Sequence, residues 1–472
     1  MKKLLFALCF SAFTLIAFSQ KKEKDYTDAF KLVEVWLEAQ KDFENLPGLS
    51  AIILKDQEVL WKAGFGYANP EIGVETKPST LYSICSISKL FTSVAVMKLY
   101  DEGKLRLDDE IHTLLPWFDL EQQFPASGPI TIRSLLTHSS GLPRESAHPY
   151  WTGPDFPFPT SDAVKTDLKT QETLYPASTY WQYSNLAMSL LGEVVKEVSG
   201  MAYNDYIQEN ILTPLGLNNT RPFLPEDKYG TELSLGFSSE KRDRQREKVN
   251  FFQAKGIKAA AGFSSNVEDL AKFAAWQLRL IDTTTTEILK PSTLQNMQRV
   301  HFLDPDWESS WGLGFSVRKD AKGNTVVGHG GSCPGYRTQL SIYPKEKLAF
   351  SVMINASGTT PAKYISGIKN IMSEVKDKPE ERTVDLDEYS GLYTEQPWWS
   401  EVYYGELNGQ LVSMSLPTNS PTLTFYKHIE GDTFKRIRKD KELGETVVFE
   451  RDENSKVYRI KQHGNYSVRM KN

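Results

Sequence analysis

Along residues 27–44 the apolar positions Phe30, Val33, Val35, Trp36, Leu37 and Phe43 fall among charged ones, which predicts an amphipathic helix. A hairpin follows: Leu49 to Leu54, a Lys-Asp-Gln-Glu turn, then Val59 to Tyr67. From Ser86 to Glu102 the pattern is helical again, with Leu90, Phe91, Val94, Met97 and Leu99 on one face and Gly103 as the stop. Residues 185–199 and 266–280 predict two more helices. The second opens on Asn266 as a cap, with Glu268 and Asp269 favourably placed in its first turn.

The period changes from Thr325 onward. Val326-Val327, Arg337 to Tyr343 and Leu348 to Ile354 read as adjacent antiparallel strands, and a helix over about 361–375 closes this part. Strands near both ends with helices between them imply an α/β domain whose sheet joins distant segments. Residues 376–386 (KDKPEERTVDL) are charged and interrupted by proline, as a linker is. Beyond it only strand signals occur. Val402 to Tyr404 and Leu411 to Leu416 flank Asn408-Gly409, a strong hairpin signal, and Leu423 to Tyr426, Val447 to Glu450 and Val457 to Lys461 continue the meander. We read 387–472 as a small antiparallel β domain, an incomplete barrel.

The first nineteen residues combine Lys2 and Lys3, the apolar stretch Leu4 to Ala17 and a small-x-small site at Ala17-Phe18-Ser19. They are expected to act as a signal peptide, leaving an exported, periplasmic or secreted chain with no stable membrane anchor. Net charge is −5 and no basic tract is present, so nucleic-acid binding has no support. Of three cysteines, Cys9 lies in the signal; Cys85 and Cys333 are too few for a disulfide framework or a four-cysteine metal site. Two small buried thiols are the favoured reading, and a bond between them is the alternative.

Chemistry enters with six Ser-x-x-Lys tetrads, beginning at Ser19, Ser86, Ser238, Ser316, Ser366 and Ser373. Only Ser86 stands where a strand-and-loop segment feeds an apolar helix, so that free N–H groups at the helix start favour a developing oxyanion. Lys89 lies one turn on, on the same face, to take the serine proton. Tyr183-Ser184-Asn185 offers a phenol as a second proton carrier. His329-Gly330-Gly331-Ser332 follows a strand, and its glycines let a substrate lie close to the backbone.

This order and spacing resemble the serine β-lactamase and penicillin-binding protein superfamily, in its class C-like esterase and D-amino-acid peptidase branch. Ile132 to Pro143 (IRSLLTHSSGLP), Leu107-Asp108-Asp109, Ala260 to Ser265 and Trp311 to Phe315 match further landmarks, so the resemblance covers residues 27–376. It implies an antiparallel sheet flanked by helices, with a mostly helical subdomain. Residue by residue, it implies that Ser86 is acylated and that Lys89 eases deprotonation of Ser86 and Tyr183. Tyr183 would be base and then acid, and Asn185 would bond Lys89 or the substrate's carbonyl side. The N–H groups of Ser86 and Ser332 would form the oxyanion hole. His138 is read as part of a buried turn. No cofactor or metal is implied.

His329 stands where many β-lactamases have a lysine. A group mostly neutral at pH 7 there points away from penicillin carboxylates, toward small esters, amides or D-amino-acid-type peptides. The alternatives are β-lactamase or D-Ala-D-Ala carboxypeptidase activity, or a sensor or binding protein that does not turn over. The aromatic insert from Tyr150 to Trp181 is expected to cap the cleft or to pack as core. The C-terminal domain resembles the lipocalin-like modules of some superfamily members, which suggests by analogy that it reaches over the cleft.

Overall fold

The computed structural model describes residues 24–394 and 400–470. The expected signal segment 1–19 lies outside the described residues. Among the described residues no helix is long and apolar enough to cross a membrane.

The predicted segments form helices α1 (Thr27–Phe43), α2 (Ser88–Asp101), α3 (Asn185–Ser199), α4 (Val267–Leu280) and α5 (Pro361–Ser373). Asn266 caps α4 by accepting from Asp269 N–H, as its sequence position implied. The sheet is antiparallel. Its centre is built from β1 (Gly48–Lys55), β2 (Glu58–Asn69), β3 (Thr325–Cys333), β4 (Tyr336–Tyr343) and β5 (Leu348–Ile354) in the order β2-β1-β5-β4-β3. Short strands extend both edges to nine in all. Pairing of β1 with β5, Leu49 opposite Ile354 and Lys55 opposite Leu348, joins the two ends of the domain.

Alternation along β1 divides the core. Leu49, Ala51 and Ile53 face α1 and α5, whereas Ile52 and Leu54 face the larger cluster that holds α2, α3 and α4. Gly367 in α5 exists for this packing: a Cβ there would lie 2.1 Å from the Trp36 ring of α1.

The C-terminal strands differ from the expectation of an incomplete barrel. Eight antiparallel strands, from Gly391–Thr394 to Asn465–Arg469, close on themselves, the last pairing with the first. Two of the strands that complete the ring are the short, polar Thr433–Ile437 and Asn465–Arg469, whose exposed faces carry no apolar run. Closure removes the free edges of such strands. Tyr393, Tyr404, Phe434, Val447 and Phe449 fill the interior.

The barrel also sits elsewhere than the analogy suggested. Leu407, Val412, Met414 and Leu416 pack with Trp36, and Trp36 Nε1 donates to Thr418 O at 2.8 Å. It is docked on α1, across the sheet from α2, and does not line the cleft at Ser86.

Candidate active site

From Thr80 to Met97 every residue is buried except Ser86. A 3-10 turn, Cys85–Ile87, precedes α2 and brings Ser86 out to a cleft. The turn is held from several sides. Ile84 N donates to Phe263 O at 2.9 Å, and Ser88 Oγ links Cys85 O at 2.5 Å to Phe263 N at 3.0 Å.

Lys89 is fully buried behind Ser86, and Nζ lies within hydrogen-bond reach of Ser86 Oγ at 3.2 Å, Asn185 Oδ1 at 2.7 Å and Ala260 O at 2.8 Å. Nζ also lies 4.8 Å from the Tyr183 ring centroid. Burial drives the lysine well below its ordinary pKa; the nearby Glu145 carboxylate opposes that shift and Arg144 adds to it. Low-polarity surroundings push the Tyr183 phenol up, and its hydrogen bond with Ser86 offsets this in part. Both effects favour uncharged amine and phenol, so Lys89, in direct contact with Ser86, is the group with a free lone pair for the serine proton.

Tyr183 and Asn185 straddle the start of α3, capped by Ser184, whose Oγ accepts from Ala187 N at 2.9 Å and donates to Pro143 O at 2.6 Å. The segment around His138 supports this start from behind. Ser184 N donates to His138 Nδ1 at 3.2 Å and Gln182 N to His138 O at 2.7 Å. His138 is fully buried, with its ring 4.4 Å from that of Tyr183, and burial holds it neutral. Its role is support for the Tyr183 motif.

On the other side, β3 pairs with β4 through Cys333, but its second neighbour covers it only from Thr325 to Gly328. From His329 onward the strand edge faces the cleft. Gly331 must lack a side chain, because a Cβ there would lie 2.4 Å from Ile84 O. This lets the strand edge approach the Ser86 turn closely. A disulfide joins Cys85 to Cys333, Cα atoms 5.7 Å apart. The favoured reading of two thiols is therefore corrected: close approach of the two motifs brings together the residues that flank them. His329 Nδ1 donates to Gly330 O at 2.6 Å, leaving Nε2 bare and buried, and burial lowers its pKa to about 3.

Ser86, Tyr183, His329, Gly330, Gly331 and Ser332 thus line one cleft of about 540 Å³, with Lys89 and Asn185 directly behind it. Sequence reasoning missed Arg337 and Glu145 there, and named Trp181 only as the end of the aromatic insert and Trp311 only as a landmark. Trp181 and Trp311 are aromatic walls. Arg337, opposite Ser332 in the β3–β4 register, donates to Cys333 O and Tyr336 O and brings a guanidinium that His329 does not supply. Glu145, 40 residues before Asn185, accepts from Asn185 Nδ2 at 2.8 and 3.0 Å. Both ends of the Asn185 amide are therefore engaged within the protein, which favours its Lys89 role over its substrate role. In the aromatic insert, Tyr150, Trp151 and Phe158 pack together with Phe252 as core, while Tyr175 and Tyr180 form an exposed pair.

The family model described as Beta-lactamase matches residues 36–366. Penicillin-binding protein 4* of Bacillus subtilis is 26% identical over 301 residues, covering 61% of this chain and 63% of that protein. A D-aminopeptidase of Gluconobacter oxydans is 26% identical over 361 residues, covering 74% of this chain and 63% of the relative. The chain thus spans less than two thirds of the length of these relatives. An octameric penicillin-binding protein homologue from Pyrococcus abyssi shares the fold with a TM-score of 0.64 at 24% identity, covering 93% of this chain and all of that one.

Proposed function

This chain belongs to the beta-lactamase family of hydrolases, and we propose that it is an exported serine hydrolase that cleaves small esters or D-amino-acid-type peptides through an acyl-enzyme on Ser86. The observation that carries the reading is the Lys89 Nζ to Ser86 Oγ contact at 3.2 Å, with the lysine fully buried and the serine at the cleft.

Ser86 Oγ attacks the carbonyl carbon while its proton passes to the Lys89 amine. The carbonyl oxygen becomes an oxyanion against the N–H groups of Ser86 and Ser332. As the intermediate collapses, the bond to the leaving group breaks and Tyr183 gives it a proton; Lys89 returns a proton to Tyr183. Water then attacks the acyl carbon by the reverse route, which restores Ser86. The D-aminopeptidase likeness supports peptides with a D-residue on the acyl side. Arg337 supports a second reading, a carboxypeptidase whose leaving group bears a carboxylate.

The test is intact-mass labelling with a fluorophosphonate and with a penicillin, then turnover of aryl esters and D-aminoacyl anilides. We expect one adduct on Ser86, and Ser86→Ala should lose activity by several orders of magnitude. A folded protein that takes no adduct from either probe, or a Ser86→Ala variant with full ester turnover, refutes the proposal. A stoichiometric adduct that never releases product identifies a sensor instead.

A further inference from the structure

Behind the nucleophile the polar chain does not stop at Lys89. It runs from Ser86 Oγ to Lys89 Nζ, through Asn185 Oδ1 and Nδ2, to both oxygens of Glu145. The Glu145 carboxylate also accepts from the Tyr150 hydroxyl and pairs with Arg144 Nε at 3.2 Å. Its capacity is filled by protein groups, so it neither touches the reacting atoms nor has a free lone pair for substrate.

Two consequences follow from this placement. An amide has no preferred end of its own; the carboxylate takes the NH₂ end of Asn185 and so turns the oxygen toward Lys89. Among the described residues the carboxylate is also the one anion in the set of groups facing Lys89. The others are Arg144, a cation on the same loop; Tyr183 and Asn185 at the start of α3; the Ala260 carbonyl; and His138 and His329, both held neutral by burial. Resting on the acyl-enzyme reading, we propose that Glu145 is a positioning residue that orients Asn185 and holds positive charge on Lys89, and so sets the pH at which Ser86 becomes nucleophilic. The direction of its electrostatic effect on Lys89 agrees, being opposite to that of burial.

The sign is definite. Acylation needs the free amine of Lys89, so its rate rises with pH through the lysine's titration. Removing the anion destabilises the ammonium and moves that rise to lower pH; removing Arg144 moves it higher.

The experiment follows the rate of fluorophosphonate labelling of Ser86 against pH in the full chain. Glu145→Gln keeps one acceptor oxygen for Asn185, exchanges the other for an NH₂ and removes the charge, and its midpoint is expected about 1 pH unit below wild type. Glu145→Asp, which keeps the charge, should titrate with wild type. Arg144→Gln, at an exposed position, should shift upward. A midpoint that stays put in Glu145→Gln, or in Arg144→Gln should the first variant not fold, overturns the proposal, since a merely structural role lowers the plateau without moving the midpoint. Failure of wild type to label at all refutes the acyl-enzyme reading itself.

Discussion

Acid should destabilise the hydrolase domain through His329, and the size of the effect follows from where the ring sits. The side chain is 5% exposed, Nδ1–H is committed to Gly330 O, and Nε2 has no partner among the described residues. Burial first, and the Lys89 charge second, bring its pKa to about 3, against an ordinary value near 6.5. Below pH 6.5 the unfolded chain therefore binds a proton that the folded protein refuses. Stability is fully present above 6.5 and falls with pH from there toward 3. At about 1.4 kcal/mol per pH unit, this one group costs roughly 2 kcal/mol between pH 7 and pH 5. His329→Phe keeps ring contacts with Trp311 and Tyr183 but cannot titrate. Urea unfolding of both proteins at pH 7 and pH 5 cancels the titrations they share, including that of His138. The variant should lose about 2 kcal/mol less than wild type over that interval. Equal losses in the two proteins would show that His329 accepts a proton in the folded state, and the argument would fail.

Three other outcomes are expected. Gly367→Ala forces its Cβ against the Trp36 ring and should cost about 1–3 kcal/mol in chemical denaturation, leaving Ser86 labelling unchanged in the folded protein. The Cys85–Cys333 bond spans 248 residues, so its reduction, or replacement of both cysteines by serine, removes a loop constraint worth up to about 5 kcal/mol. Melting should drop by several degrees and acylation should slow, because the bond ties the Ser86 turn to the strand carrying Ser332. Arg337→Ala should raise KM at least about tenfold for a D-peptide with a free C-terminal carboxylate and leave a neutral aryl ester unaffected; equal effects on both would remove Arg337 from substrate recognition.

How legible each part was depended on the range of the forces that form it. The helices α1 to α5 and the central strands were readable because their apolar periodicity is local. Ser86 was separable from five other tetrads for the same reason: it alone opens a long apolar helix, and in the fold it is the one accessible residue of that run. The disulfide was legible only as the alternative to two thiols, because two cysteines 248 positions apart pair only after β3 has docked on the Ser86 turn. Barrel closure was missed because a strand such as Thr433–Ile437 carries too few apolar residues to show a period. Glu145 was invisible on different grounds. A charged pair after Pro143 reads as solvated loop, and only the fold turns its carboxylate onto Asn185 and exposes Arg144 beside it.

The charges that remain decide what the cleft can accept. Replacing a lysine by His329 suggested a site without a cation for a substrate carboxylate. Burial makes that histidine neutral, which strengthens half of the argument. The other half weakens, since Arg337 reaches the same cleft from β4 and Arg144 stands 4.8 Å from the Tyr183 ring. Arg144 is balanced by Glu145, whereas Arg337 donates only to backbone carbonyls. The cation has thus moved from the strand edge that touches the oxyanion to the neighbouring strand. Arg337 is therefore the cation that a substrate carboxylate would meet in this cleft, and the Arg337→Ala comparison of a free carboxylate with a neutral ester tests that contact.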